Sequence, residues 1–244
     1  MENRHLSRRQ FFLSSFAATF STTLLLSAKA HTISASGNQS DSLKFISVPP
    51  ENGGMPAGVI VCLHGSGAKS QALVSLARSL NLPDFLFLFP DAPFPDPSVP
   101  GGKIWYDLKS STHKGLGESR QRLVDWLKSL ETITNLPLES TILSGFSQGA
   151  AMTLDVGLML PLAGLVSLSG YLHSPPQLII KEALPPVLMV QGKQDKIVTL
   201  DEAHFARDSL EALGVAVKYE EFDMGHELKP AELALMRRFV VDVM

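Results

Sequence analysis

The chain has 244 residues, of which 45% are hydrophobic, and its formal net charge is −3 at pH 7. This composition excludes a disordered or collagen-like polymer, and the slight acidic excess argues against a protein that binds nucleic acid. The single cysteine, Cys62, excludes an intrachain disulfide framework and a cysteine-based zinc site. The length is sufficient for one α/β domain with a sizeable core.

Residues 1–30 differ from the rest of the chain and are predicted to be a signal peptide. Arg8 and Arg9 stand directly before a segment with two Phe and a Leu, a pattern that resembles the twin-arginine export signal. An uncharged run over 10–28 follows and leads into Ala28-Lys29-Ala30, a small-x-small sequence that a signal peptidase accepts. We therefore predict export by the twin-arginine machinery and a periplasmic or extracellular location. The alternative is that 10–28 form a membrane anchor.

The polar residues 31–42 are predicted to be a linker, and residues 43–244 a single α/β domain. Short apolar runs, typical of strands buried on both faces, alternate with segments that carry an apolar stripe at helical spacing. This alternation predicts a mostly parallel central sheet with helices on both faces. The predicted strands cover 59–63, 85–89, 141–143, 165–168, 187–190 and 215–219, and the helical stripes lie within 73–80, 123–130, 203–213 and 233–243.

A proline-rich segment interrupts the alternation of strands and helices. Residues 90–100 include five prolines, which excludes a helix or an internal strand there. We therefore expect a long loop from about residue 90 to residue 117. Long loops in compact domains are often functional, and this one is expected to shape the substrate pocket.

The sequence Gly145-Phe146-Ser147-Gln148-Gly149 matches the G-x-S-x-G pattern of a nucleophilic serine. A predicted strand precedes this sequence and a helix-like segment follows it, so we expect Ser147 in a tight strand-to-helix turn. Glycine at positions 145 and 149 would remove the Cβ atoms that such a turn cannot accommodate. The other interpretation is a glycine-rich turn that holds an ordinary serine.

A serine nucleophile needs a base, and the base needs a carboxylate that orients it. In α/β hydrolases these partners follow the serine in the order acid, then histidine, each after a later strand. Asp195 and His226 occur in that order, and each lies just beyond a predicted strand. We therefore predict Ser147, Asp195 and His226 as a catalytic triad, with Asp223 as the reserve candidate for the acid.

The sequence His64-Gly65-Ser66-Gly67 follows the first predicted strand of the domain. In an α/β hydrolase the loop after this early strand supplies one donor of the oxyanion hole. We assign the two donors to the backbone N–H groups of Ser66 and Gln148. A phosphate-binding loop is the competing interpretation, but the adjacent Gly-Lys of such loops is missing. No cluster of residues has metal-ligand spacing, so neither a metal nor a cofactor is predicted.

Six segments occur together in one order along the chain: Leu63-His64-Gly65-Ser66-Gly67, Phe89-Pro90-Asp91-Ala92-Pro93, Trp105-Tyr106-Asp107, Gly145-Phe146-Ser147-Gln148-Gly149, Gly192-Lys193-Gln194-Asp195-Lys196-Ile197-Val198 and Gly225-His226. From about Phe45 to its end the chain thereby resembles the phospholipase/carboxylesterase family of α/β hydrolases, which includes the acyl-protein thioesterases. The resemblance implies an α/β-hydrolase fold with little or no cap domain. It also implies a serine esterase that acts on carboxylic esters or thioesters with the triad and oxyanion donors named above. Trp105 matches an aromatic residue that the family places near the active site, so it is a candidate substrate contact, with a core tryptophan as the equal alternative.

Two features depart from the family pattern. Ala68 stands where the family often has Asp, and an export signal contrasts with the many cytosolic members. An exported protein would not meet cytosolic acylated proteins, so we expect hydrolysis of small-molecule esters, of the carboxylesterase or lysophospholipase kind. A peptidase or amidase on the same fold, and a non-catalytic binding protein that retains the fold, are the alternatives.

Overall fold

The computed structural model describes residues 42–174 and 184–244. The predicted signal peptide and all but the last residue of the predicted linker lie outside the described residues. Among the described helices, none combines the length and the apolar character required to cross a bilayer. The strands are β1 Phe45–Val48, β2 Gly58–Leu63, β3 Phe85–Pro90, β4 Phe94–Pro95, β5 Lys103–Ile104, β6 Thr141–Phe146, β7 Gly164–Leu168, β8 Val187–Gly192 and β9 Val217–Phe222. The α-helices are α1 Ser75–Leu80, α2 Leu116–Thr134, α3 Gln148–Gly157, α4 Leu200–Ala212 and α5 Pro230–Val243.

Seven of the strands form one sheet in the order β1-β3-β2-β6-β7-β8-β9. β1 pairs antiparallel with β3, and all other neighbours in this sheet pair in parallel. Since parallel strands end at the same edge of a sheet, the segments that follow β2, β6, β8 and β9 lie along one edge. The mostly parallel sheet confirms the predicted α/β-hydrolase fold and brings the candidate site residues to that edge.

Helices cover both faces of the sheet and create two apolar cores. The core on one face contains side chains from α2, α3 and α4, and the core on the other contains side chains from α1 and α5. In β2, Val61 and Leu63 face the first core, whereas Ile60 and Cys62 face the second. Burial on both faces explains why this strand is continuously apolar in sequence.

The strands that lead to the candidate site are longer than the apolar runs that predict them. β6 continues to Phe146 and β8 to Gly192, where polar residues and glycines replace the apolar pattern. β9 begins two residues later than predicted, because the Val215 N–H donates to the Leu210 carbonyl in the last turn of α4 and so belongs to the end of that helix. β1, a short edge strand, has no counterpart among the predicted strands.

The proline-rich segment is a long connection, as predicted, and it ends where α2 begins at Leu116. Within it β4 and β5 form a small antiparallel ribbon in which Phe94 is paired with Ile104 and Pro95 with Lys103. Proline is tolerated in such a ribbon because an edge residue needs no ladder hydrogen bond on its outer side. The ribbon is too small to be a cap domain, in agreement with the predicted fold class.

Candidate active site

Ser147 is the single residue between β6 and α3, and its backbone angles are φ 56° and ψ −119°. A non-glycine residue with positive φ is strained, and the turn is held in place by the Ser147 N–H, which donates to the Leu168 carbonyl at 2.9 Å. A Cβ atom added at Gly145 would overlap the backbone of Gly149, and one added at Gly149 would overlap the Leu63 carbonyl. The two glycines therefore allow the tight turn that the sequence predicts.

His226 lies between Ser147 and Asp195 and contacts both. Its Nε2 is 2.9 Å from Ser147 Oγ, and its Nδ1 is 2.7 Å from Asp195 Oδ2. Asp223, the reserve acid, is directed to solvent with a side chain 79% exposed, and it pairs with Lys193. The structure thus brings together the three residues predicted as the triad and leaves the reserve candidate outside.

The loops that carry the acid and the histidine are joined by their backbones. The Lys193 N–H donates to the Phe222 carbonyl and the Gln194 N–H to the Met224 carbonyl, both at 2.9 Å. These bonds continue the β8–β9 pairing beyond the strands, and the Lys193–Asp223 ion pair spans the same two loops. The separation of Asp195 and His226 is therefore determined by the sheet itself.

Asp195 is a buried carboxylate with several donors. Burial by itself would raise the pKa of Asp195, but hydrogen bonds from His226 and from the N–H groups of Ile197 and Val198 hold that pKa below its usual range. The two backbone bonds, at 2.8 and 3.0 Å, both reach Oδ1 and leave Oδ2 facing His226. An ionised carboxylate in this position keeps the proton of the imidazole on Nδ1 and leaves Nε2 free to accept one from serine.

The predicted oxyanion loop turns beside the serine. Gly65 to Ala68 form a tight turn closed by the Ala68 N–H on the Gly65 carbonyl, with Gly67 at φ 78°, a conformation that favours glycine. A Cβ atom at Gly65 would lie 3.3 Å from the Ser147 Cβ, so the loop passes directly by the nucleophile candidate. The N–H of Gln148, the first residue of α3, has no intrahelical partner. That Ser66 and Gln148 donate to an oxyanion stays a prediction.

His64 holds this loop to its neighbours, a role that its sequence position does not reveal. Its Nε2 accepts a hydrogen bond from the Ala92 N–H at 3.0 Å, so the proton of the ring lies on Nδ1 and is donated to the Gly65 carbonyl at 2.8 Å. Burial lowers the pKa of His64, which keeps the ring neutral. His64 therefore fixes the start of the oxyanion loop and takes no part in the triad contacts.

The Gln148 side chain connects the turn at Gly145–Gly149, here called the nucleophile turn, to the long loop that precedes α2. Its Oε1 accepts from the Trp105 N–H at 2.9 Å, and its Nε2 donates to the Tyr106 carbonyl at 2.8 Å. The Trp105 indole in turn donates to the His64 carbonyl at 2.9 Å. Gln148 and Trp105 thus connect the nucleophile turn, the long loop and the oxyanion loop.

The candidate role of Trp105 as a substrate contact needs correction. Its side chain is 0% exposed, so the ring is a core residue that supports the oxyanion loop and presents no surface to a ligand. Of the two interpretations of Trp105, the structure supports the core tryptophan. Sequence reasoning assigns the tryptophan to the right neighbourhood but cannot tell which way its side chain points.

The described residues offer neither a second nucleophile at Cys62 nor a metal site. Cys62 is buried and accepts from the Ser144 hydroxyl at 3.2 Å, and burial raises the pKa of its thiol to about 12, so it is not a nucleophile. Within residues 42–174 and 184–244, no group of three or more His, Cys, Asp or Glu side chains is arranged to hold a metal ion.

A mostly parallel sheet that carries a strained serine, an acid and a histidine at the carboxyl ends of its strands is the architecture of an α/β hydrolase. A model of the phospholipase/carboxylesterase family matches residues 50–244, and the chain belongs to this family.

Several proteins are similar to the chain over most of their length. Acyl-protein thioesterase 1 homolog 1 of Dictyostelium discoideum is 28% identical over 202 residues, which cover 75% of this chain and 89% of that protein. Carboxylesterase SOBER1 of Arabidopsis thaliana is 26% identical over 201 residues, covering 74% and 88%. The crystal structure of esterase PE8 matches with a TM-score of 0.76 and 29% identity, covering 83% of this chain and all of that one. With these relatives and this fold, the protein is a serine ester hydrolase.

Proposed function

We propose that the protein is an exported esterase that cleaves carboxylic esters of small molecules, with Ser147, His226 and Asp195 as its catalytic triad. The observation that carries the proposal is the unbroken hydrogen-bonded chain from Ser147 Oγ through both nitrogens of His226 to Asp195. A non-catalytic protein would have no need of a strained serine in contact with an imidazole that is itself held by a buried carboxylate. The retained contacts therefore favour an enzyme over a binding protein.

The proposed reaction proceeds in two halves. His226 Nε2 takes the proton of Ser147 Oγ while Oγ forms a bond to the carbonyl carbon of the ester. When the tetrahedral intermediate collapses, the C–O bond to the alcohol breaks, and the alcohol leaves with the proton from Nε2. Water then gives a proton to His226 Nε2 while its oxygen bonds to the carbonyl carbon of the acyl-enzyme. When this second intermediate collapses, the bond from carbon to Oγ breaks, Oγ takes the proton back from Nε2, and the acid is released.

The proposed oxyanion donors stabilise the negative oxygen of both tetrahedral intermediates. The N–H groups of Ser66 and Gln148 belong to a turn and a helix start that are fixed by His64, Trp105 and the Gln148 side chain. Donors held in advance cost no reorganisation during the reaction, and one such donor contributes about 2.7–4 kcal/mol.

Small-molecule esters are the proposed substrates because of the predicted destination of the chain. The similar proteins carry the names acyl-protein thioesterase and carboxylesterase, so their names leave open which kind of molecule carries the acyl group that is removed. A twin-arginine signal would take this chain away from cytosolic acylated proteins. The carboxylesterase or lysophospholipase kind of reaction therefore fits the sequence best, and amide hydrolysis is the competing outcome of the test.

The test is hydrolysis of a short and a long nitrophenyl acyl ester, with a matched nitroanilide as the amide. Turnover is expected on at least one ester and is expected to fall by about four to six orders of magnitude in Ser147→Ala. Ser79→Ala is the control, because that exposed hydroxyl donates to its own helix. Serine-dependent cleavage of the anilide but of neither ester would replace the esterase by an amidase.

A further inference from the structure

Gln191 lies at the end of β8, four residues before Asp195, and is buried. Its Nε2 donates to the Val198 carbonyl at 2.7 Å and lies 3.3 Å from Asp195 Oδ2. The orientation of the amide is determined by these two acceptors, since a flipped amide would direct its oxygen at a carbonyl and a carboxylate. The sequence does not distinguish this glutamine from any other polar residue at a strand end.

Of the two hydrogen bonds that the Gln191 amide donates, the one to Oδ2 of Asp195 affects the triad. Oδ1 of Asp195 is held by two backbone N–H groups, whereas Oδ2 faces the imidazole of His226. That imidazole must donate through Nδ1 while Nε2 gives and takes protons. Gln191 supplies Oδ2 with a second donor that stays in place throughout, because the same amide is bound to Val198.

The backbone of Val198 contacts both Asp195 and Gln191. Its N–H donates to Asp195 Oδ1 and its carbonyl accepts from Gln191, so one peptide unit connects the carboxylate and the amide. The Oε1 atom of Gln191 is buried and has no hydrogen-bond partner among the described residues. An unsatisfied buried acceptor is costly, so a residue chosen for stability alone would not leave one here.

We propose that Gln191 is a positioning residue that orients the carboxylate of Asp195 toward His226. The proposal rests on the triad of the proposed function. Methionine has nearly the same size as glutamine but no amide N–H group. It would therefore fill the same space and remove the hydrogen bond to Oδ2 of Asp195. Gln191→Met should therefore leave the protein folded, leave KM nearly unchanged and lower kcat by about tenfold or more.

The experiment compares ester turnover of the full chain with Gln191→Met, Asp195→Asn and the double variant. If Gln191 acts through Asp195, its replacement lowers kcat in the native background and has no further effect once Asp195 is Asn. A purely structural role would instead give the same loss in both backgrounds, and that result would overturn the proposal. Gln121→Met is the matched control, because the Gln121 amide also donates to a carboxylate, that of Asp125, on the exposed face of α2.

A second variant and a spectrum keep the test decisive. If Gln191→Met does not fold, Gln191→Leu removes the donor to Asp195 with another apolar side chain, and we expect the same loss of kcat. The Nδ1–H proton of His226, observed by NMR, should shift in whichever variant folds. Native turnover in either folded variant contradicts the proposal, whereas a native protein without Ser147-dependent turnover contradicts the proposed function itself.

Discussion

At the scale of single residues, Asp195 and Asp223 have opposite environments although both are close in sequence to strand ends. The Asp195 side chain is 0% exposed and its pKa lies below the usual range, while Asp223 is exposed and paired with Lys193. An acid that orients an imidazole must stay ionised and immobile, and Asp195 meets both conditions. From the sequence alone, Asp195 is preferred over Asp223 as the acid because of its order and spacing along the chain. Its burial in the structure is the physical reason why it can orient His226.

This difference predicts unequal effects of the same substitution. Asp195→Asn should lower kcat by about 10⁴-fold, because asparagine presents the wrong partner to Nδ1 of His226. Asp223→Asn should change kcat little, since its contact with Lys193 is solvent-exposed. Steady-state kinetics on one nitrophenyl ester measures both. A larger loss in Asp223→Asn than in Asp195→Asn would mean that the acid has been misassigned.

Glu232 is a second buried carboxyl, outside the triad, at the start of α5. Its Oε2 accepts from the Lys229 N–H at 2.6 Å, but Oε1 has no hydrogen-bond partner in the described part of the chain. Burial, with a smaller contribution from the nearby Glu227, raises the pKa of Glu232 from 4.5 to about 7. The folded protein therefore binds this proton more tightly than the unfolded chain does.

The consequence is a loss of stability as the pH rises. The contribution of the protonated carboxyl is fully present below pH 4.5 and is lost as the pH rises through about 7, a change on the order of 3 kcal/mol. Glu232→Gln removes the titration, so its Tm relative to the native protein should increase between pH 5 and pH 9. Thermal unfolding at several pH values measures this difference, and a difference independent of pH would contradict the account.

At the scale of elements, the G-x-S-x-G turn is the part of the site that the sequence predicts best. A strand, a turn and a helix follow one another locally, and the need for glycine at 145 and 149 is steric. The roles of His64 and Gln148 were beyond prediction because their partners lie 28 and 43 residues away. The sequence could not decide between the two interpretations of Trp105 for the same reason.

Gly149 and Gly117 give a matched test of the steric argument. A Cβ at Gly149 would overlap the Leu63 carbonyl, whereas a Cβ at Gly117 in α2 would meet nothing within 4 Å. Gly149→Ala should therefore lower the free energy of unfolding by about 2–4 kcal/mol, while Gly117→Ala should raise it by about 0.5 kcal/mol through helix propensity. Urea unfolding measures both values. Equal effects of the two substitutions would contradict the overlap.

At the scale of the whole molecule, the fold could be predicted from the alternation of apolar runs and helical stripes. The strand order could not, because the sequence does not state which strands are neighbours, and β1 was missed because a short antiparallel edge strand has no continuous apolar run. The sheet places four connecting segments at one edge, and that is what turns residues scattered over the chain into one site.

The predicted export signal concerns the whole chain and can be tested separately. Replacement of Arg8 and Arg9 by Lys keeps the charge of the N-terminus but removes the paired guanidinium groups that the twin-arginine machinery reads. We expect the variant to accumulate in the cytoplasm as uncleaved precursor, and the native chain to be exported and shortened. Cell fractionation with mass spectrometry of the N-terminus measures this, and unaltered export of the Lys-Lys variant would exclude the twin-arginine route.

The central claim is that Ser147 is a nucleophile activated by His226, and a covalent label tests it most directly. A fluorophosphonate should react once per chain, and peptide mass spectrometry should place the adduct on Ser147. The rate of labelling should collapse in His226→Ala and stay native in His204→Ala, a histidine that pairs with Glu221 outside the site. A label on another residue, or an undiminished rate in His226→Ala, would contradict the account.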